Sequence, residues 1–140
     1  MKKILIILIS LTLLILAGNI WLVSCGTLVP ETALITGAVT IGPITPVEQP
    51  GECPPVSPET FSTRKVMIYD ESGHNLVREV NMTQVGQSAN GYYTALIDPG
   101  TYTIDIVHQG LDRADGLPRQ ITIAAGETVT VDINIDTGIR

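Results

Sequence analysis

ETVTVDINID, residues 127–136, alternates polar and β-branched apolar residues from Thr128 to its end. One phase holds Val129, Val131, Ile133 and Ile135, and the other phase is polar throughout. Successive side chains of a strand point to opposite faces of a sheet. This period of two therefore predicts a strand with one face in a core and the other face in water.

Working outward from this stretch, shorter alternating segments recur between turn residues. Strands are predicted over residues 33–41, 63–70, 76–82, 92–97, 101–109 and 119–124. In the first of them, Ile35, Gly37, Val39 and Ile41 are expected to face inward. No window beyond the N-terminal region has the 3.6-residue period of a helix. The fold class expected is all-β: one antiparallel β-sandwich.

Turn residues set the expected connections. Asp70–Asn75 predicts a hairpin turn, and Asp98–Gly100 predicts a further turn of the chain. Asn90-Gly91 predicts a tight turn with a left-handed residue before the strand 92–97. Residues 119–124 are expected to pair with residues 127–136 across Ala125-Gly126. Six prolines between residues 42 and 62 predict an extended, polyproline-like crossing loop, because proline cannot donate to a sheet ladder.

The N-terminal region has the character of a secretory leader. Lys2 and Lys3 precede a continuous apolar run over residues 4–17, so residues 1–24 are interpreted as a signal peptide with a hydrophobic helix. Leu22-Val23-Ser24-Cys25 resembles the lipobox of bacterial lipoproteins, which predicts lipidation of Cys25. Residues 25–32 then form a short tether to a domain over residues 33–140.

Three alternatives for this region remain open. The first is a buried structural Cys25, although the residues around it show no amphipathic pattern. The apolar run is long enough to stay uncleaved as one transmembrane helix, with the same extracytoplasmic topology. A disulfide between Cys25 and Cys53 would instead exclude lipidation, and with Cys25 lipidated Cys53 has no cysteine partner. In the lipidated and the transmembrane interpretations, membrane lipid is the first partner expected.

Charge argues against nucleic acid as a partner. From Cys25 onward six Lys and Arg stand against fourteen Asp and Glu, a net charge of -8, and the basic residues are scattered. Proteins that neutralise phosphates cluster Lys and Arg on one face.

Candidate chemistry is sparse, and neither a catalytic site nor a cofactor is predicted. Asp112 and Asp115, in the polar loop 110–118, are the metal-ligand candidates, because calcium takes oxygen ligands. Asp132 and Asp136 are possible additions to that site, and a solvated acidic face explains the same carboxylates. His108 is expected at the sandwich rim and His74 in a turn. Asn81-Met82-Thr83 matches the N-glycosylation sequon.

Three segments together resemble the carboxypeptidase regulatory-like domain and the wider Ig-like, prealbumin-like group of seven-stranded sandwiches. They are Ile35–Val39, Arg64–Tyr69 and, most specifically, Asn90–Ile104 with its turn, aromatic strand, Pro-Gly turn and tyrosine strand. The resemblance implies a displayed or accessory module whose partner is an envelope protein or a glycan. A transthyretin-like hydrolase of this fold would need a set of histidines and a C-terminal tail that the sequence lacks.

The function expected from the sequence is therefore a membrane-anchored extracytoplasmic lipoprotein that displays a non-catalytic β-sandwich for binding or for structure. The alternative is a small extracytoplasmic calcium-binding or hydrolytic module that uses the loop 110–118.

Overall fold

The computed structural model describes residues 32–46 and 55–139. Within these two ranges ten strands form two packed sheets, and there is one helical turn. In chain order they are β1 Ala33–Gly42, α1 Glu59–Ser62, β2 Lys65–Tyr69, β3 Leu76–Asn81, β4 Thr83–Gln84, β5 Asn90–Ile97, β6 Gly100–Ile106, β7 Arg113–Ala114, β8 Arg119–Ile123, β9 Thr128–Thr130 and β10 Ile133–Asp136. The predicted all-β sandwich is confirmed.

The first sheet has the order β4-β5-β1-β10-β7, and β9 pairs with β1 on the same side as β10. The second sheet has the order β3-β2-β6-β8. The prediction of a wholly antiparallel fold is wrong, because β1 runs parallel to both β9 and β10. The remaining pairings are antiparallel.

The expected hairpin across Ala125-Gly126 is also wrong. Gly126 does turn the chain with a positive φ of 71°. The chain crosses there from one sheet to the other, so β8 pairs with β6 while β9 pairs with β1. The apolar faces of β8 and β9–β10 consequently meet across the core instead of lying side by side in one sheet.

The core lies between the two sheets and is built from the inward phases that alternation predicts. In β1 the residues Ala33, Ile35, Val39 and Ile41 are buried, and Gly37 is buried with them. The other strands contribute Val66, Ile68, Val80, Tyr93, Ala95, Ile97, Ile104, Ile106, Ile121, Ile123, Ile133 and Ile135. Val131, between β9 and β10, is buried with them. At about 25 cal/mol per Å² of buried apolar surface, these aliphatic side chains are the main stabilising contribution.

The turn predicted at Asn90-Gly91 does not occur there. Both residues belong to β5, and among the described residues no non-glycine residue has a positive φ. The reversal falls earlier, at Gly86, whose φ is 62°. Gly91 is required for packing instead, because a Cβ on it would lie 2.4 Å from Cε1 of Phe61.

Phe61 itself corrects part of the proline-loop prediction. Residues 47–54 of the loop lie outside the described residues, but its C-terminal part contains the helical turn α1. Phe61 on this turn is 2% exposed and packs into the core beside Gly91. A single large aromatic side chain thus anchors a segment whose prolines suggested only extended chain.

The last strand is interrupted where it passes Gly37. Val131 still donates its N–H to the carbonyl of Thr36 at 2.8 Å, but its own carbonyl points into the core. There it accepts a hydrogen bond of 2.7 Å from the buried Tyr93 hydroxyl. The N–H of Ala38 bonds instead to the Asp132 carboxylate at 2.8 Å. A side chain therefore replaces one rung of the parallel ladder.

Candidate functional site

The candidate residues of the loop 110–118 lie at the end of the sandwich that also carries α1. The strand β7 within this loop pairs with β10 of the first sheet, which fixes the loop on one side. Arg64 lies between α1 and β2, and β2 belongs to the second sheet, so this sheet also borders the loop. This end of the molecule is therefore where the two sheets, the helical turn and the polar loop meet.

An ion pair between Arg64 and Asp112 forms the centre of the site. Nε of Arg64 donates to Oδ2 of Asp112 at 2.7 Å, and a terminal nitrogen donates to Oδ1 at 3.0 Å. The other terminal nitrogen donates to the carbonyl of Thr60 at 2.8 Å. The side chains are 12% and 1% exposed, respectively. The pair has the two-pronged geometry that fits guanidinium to carboxylate.

Two further residues complete the surroundings of Asp112. The backbone N–H of Gln109 donates to Oδ2 at 3.2 Å, and the Gln109 side-chain amide donates to the carbonyl of Thr63 at 3.0 Å. Nδ1 of His108 lies 3.1 Å from the Asp112 carbonyl oxygen, and Nε2 lies 3.6 Å from Oδ1 of Asp105. The carboxylate of Asp112 thus accepts hydrogen bonds from Arg64 and from the backbone of Gln109 in its own loop.

A shallow groove of about 310 Å³ opens beside this ion pair. Ile44, Leu111 and Ile139 form its apolar walls, and Thr60 and Gln109 lie among them. Leu111 is 74% exposed and is the most exposed large apolar side chain of the described part of the chain. The groove can take an apolar group next to hydrogen-bonding side chains.

The predicted metal-ligand candidates do not come together. Asp112 is paired with Arg64, and Asp115 is exposed on the loop surface. Asp132 accepts from Ala38, and Asp136 accepts from the N–H of Gly138 at 2.9 Å. Over residues 32–46 and 55–139 no group of three or more His, Cys, Asp or Glu side chains could hold a metal ion.

The histidines occupy the positions that their sequence context predicts. His108 is exposed at the rim and lies just after β6, which ends at Ile106 and not at residue 109 as the sequence predicts. His74 is exposed in the turn between β2 and β3. In that turn the Asp70 carboxylate accepts from Ser72 and Asn75, and these side-chain hydrogen bonds lower the pKa of Asp70.

Cys25, Cys53 and the leader 1–24 lie outside the described residues. No helix within the part of the chain that the structure describes is long and apolar enough to cross a membrane.

Two structural residues of this fold have roles that sequence reasoning did not identify. In the sequence Arg64 is one of several scattered basic residues and begins the segment Arg64–Tyr69, yet in the structure it is the partner of Asp112 across 48 positions. Tyr93 was recognised as part of an aromatic strand, and its bond to Val131 was not predicted. Neither pairing has a local signal, since both depend on how the sheets pack.

The chain was compared with protein-family models and with curated proteins, and none of them matches it.

Proposed function

We propose that this chain is a membrane-anchored extracytoplasmic lipoprotein that displays a non-catalytic β-sandwich. The observation that carries the proposal is Leu22-Val23-Ser24-Cys25 directly behind an uncharged apolar run and two lysines. A peptidase at the membrane surface needs a small residue before its cut, and a thiol can carry a diacylglyceryl group. Two acyl chains give stable anchoring where one chain is marginal.

The position of the sandwich relative to Cys25 supports this function. The strand β1 begins at Ala33, so residues 25–32 are the tether between lipid and domain. Eight extended residues span at most about 28 Å. The N–H of Gly126 bonds to the carbonyl of Thr32, which holds the tether end beside the turn between β8 and β9. The groove at Leu111 lies at the opposite end and would face away from the membrane.

The strand arrangement supports the proposed likeness to carboxypeptidase regulatory-like and other prealbumin-like domains. Counting β9 and β10 as one interrupted strand, and leaving out the two-residue strands β4 and β7, gives seven main strands. They form a three-stranded and a four-stranded sheet. A domain of this kind suits a binding or spacer role, with an envelope protein or a glycan as the partner class.

The environment of Asp112 favours the non-catalytic role over the calcium-binding or hydrolytic alternative. Its two carboxylate oxygens already accept from Arg64 and Gln109, so a cation at Asp112 would have to displace a guanidinium. Calcium titration with thermal melting distinguishes the two functions. A rise in melting temperature with calcium that disappears in Asp115→Asn would favour the calcium-binding or hydrolytic alternative. A melting temperature that calcium does not change would favour the non-catalytic sandwich.

The anchor is tested on full-length protein extracted from membranes. Mass spectrometry is expected to find an N-terminal peptide that begins at Cys25 and carries a diacylglyceryl group. In Cys25→Ser the lipid is lost and the leader is retained, because the acceptor thiol is gone. Cys53→Ser is the matched control and keeps the modified N-terminus.

Two results would contradict the lipoprotein. An intact Met1 with an unmodified Cys25 would indicate an uncleaved transmembrane helix. A disulfide-linked peptide pair containing Cys25 and Cys53 would rule out lipidation directly.

A further inference from the structure

The sequon Asn81-Met82-Thr83 lies where the chain leaves the second sheet and enters the first. Asn81 is the last residue of β3, and Thr83 is the first residue of β4. Met82 between them is 6% exposed, whereas Asn81 and Thr83 are both exposed. Residues two apart in extended chain point to the same side. Burial of Met82 therefore directs the amide of Asn81 and the hydroxyl of Thr83 toward solvent together.

This crossing is held by few backbone hydrogen bonds. The strand β3 is at the edge of its sheet, and Asn81 forms its last pair, with Lys65. The strand β4 pairs only through Thr83 with Tyr92 and Gln84 with Gly91. Short edge segments of this kind open locally at a small fraction of the global unfolding free energy. Local opening at this crossing, with release of Met82 from the core, would let the acceptor segment enter the active site of a transferase.

We propose that Asn81 is an N-glycosylation site whose donor is an oligosaccharide carried on a lipid pyrophosphate. The amide nitrogen of Asn81 bonds to the anomeric carbon of the sugar, and the bond from that carbon to the pyrophosphate oxygen breaks. The amide gives one proton to a base of the transferase, and the lipid pyrophosphate leaves with the bonding electron pair. Thr83 is a positioning residue, since its hydroxyl binds the transferase.

A glycan at Asn81 would lie beside the open side of the sandwich. A surface groove there runs between β3 and β5 and is lined by Asn81, Arg78, Thr94 and Leu96 among others. Arg78 crosses this side to bond the carbonyl of Leu96, whose side chain is 57% exposed. Exposed strand edges promote pairing between molecules. A bulky, soluble substituent at this place would therefore also shield an edge that Arg78 only partly covers.

The proposal rests on the extracytoplasmic location proposed above, so the first experiment examines both in one sample. The full chain is produced in a host that exports lipoproteins and transfers N-linked oligosaccharides, and the tryptic peptide of residues 79–113 is examined by mass spectrometry. We expect a glycan on Asn81 that is lost in Asn81→Gln and Thr83→Ala and kept in Thr83→Ser. Asn134→Gln, an exposed asparagine followed by Ile135-Asp136, keeps the glycan.

A second arm makes the test independent of export. Purified full-length chain is incubated with a purified oligosaccharide transferase and a lipid-linked oligosaccharide, with a sequon peptide as positive control. Transfer to Asn81 supports the proposal even when Cys25 is found unmodified, in which case only the lipoprotein proposal fails. No transfer to Asn81 while the peptide is glycosylated overturns the site, as does an exported, lipidated chain with unmodified Asn81.

Discussion

Gly37 is the residue at which β1 allows the backbone of another strand to enter the core. A Cβ on Gly37 would lie 1.9 Å from the carbonyl oxygen of Val131 and 2.9 Å from Cε1 of Tyr93. No side-chain rearrangement removes the first contact, because the carbonyl belongs to the backbone. The need for glycine here is one of space, since Gly37 does not have a positive φ.

Gly37→Ala is therefore expected to lower the free energy of unfolding by about 3 kcal/mol, at the upper end of overpacking effects. Urea unfolding followed by circular dichroism measures the change. Gly42→Ala, at the end of the same strand with open space around its Cβ position, is the matched control and should unfold near the wild-type midpoint. An equally small effect at Gly37 would contradict the inward-pointing carbonyl.

Tyr93 supplies the hydroxyl that satisfies this carbonyl. Tyr93→Phe would leave the Val131 carbonyl buried without its donor, a loss of about 1–3 kcal/mol. Burial raises the pKa of Tyr93, and the nearby Asp132 carboxylate adds to the effect. The neutral phenol is thus favoured in the folded state, and its stabilisation is complete below the ordinary tyrosine pKa of about 10 and declines as pH rises beyond it.

Unfolding measured at neutral and alkaline pH checks the sign of this effect. The stability difference between wild type and Tyr93→Phe should shrink in alkaline solution. Above the ordinary tyrosine pKa the unfolded wild type ionises more readily than the folded wild type, which lowers the free energy of unfolding of the wild type alone. A difference that stays constant or grows with pH would contradict the assignment.

At the scale of elements, the Arg64–Asp112 pair joins α1 and the start of β2 to the loop between β6 and β8. Asp112→Ala should cost about 3–5 kcal/mol, because it leaves a guanidinium without its partner in a nearly buried position. The double variant Arg64→Met, Asp112→Ala should cost less than the sum of the single variants. Thermal or urea unfolding of the four proteins gives the coupling.

Asp115→Ala is the control for this cycle, since Asp115 lies in the same loop and is exposed; its effect should stay within about 0.5 kcal/mol. Additive single effects would show that the loop is held by other contacts, of which β7 pairing with β10 is the first to consider.

The strands also show what the alternation of polar and apolar residues can predict and what it cannot. The inward phase of β1 is buried as the alternation predicts, because period two fixes which side chains share a face, whereas Leu76 in the edge strand β3 is 50% exposed. The partner of a strand is not fixed in this way. β8 and β9 are separated by a short turn, a spacing compatible with a hairpin in one sheet and equally with a crossing between two stacked sheets.

For the whole molecule, the apolar groove at Leu111 lies at the end of the sandwich that also carries Asp112 and Asp115, and the end beside Thr32 lies opposite. The end beside Thr32 carries turns with the carboxylates of Asp70, Asp98 and Glu127, and the other end carries the apolar groove at Leu111. A domain tethered at Cys25 would thus present these carboxylates toward the membrane. An anionic lipid headgroup within about a Debye length of 8 Å would repel them.

The sequence by itself determined the strands, their buried faces and the turn at Asp98–Gly100, because these depend on neighbours two to six residues away. It also contains the whole basis for the predicted anchor at Cys25. The tertiary structure decided the parallel pairing of β1 with β9 and β10, the helical turn around Phe61, and the partners of Asp112 and Tyr93. Those contacts join residues up to about a hundred positions apart, and only the packing of two sheets brings them together.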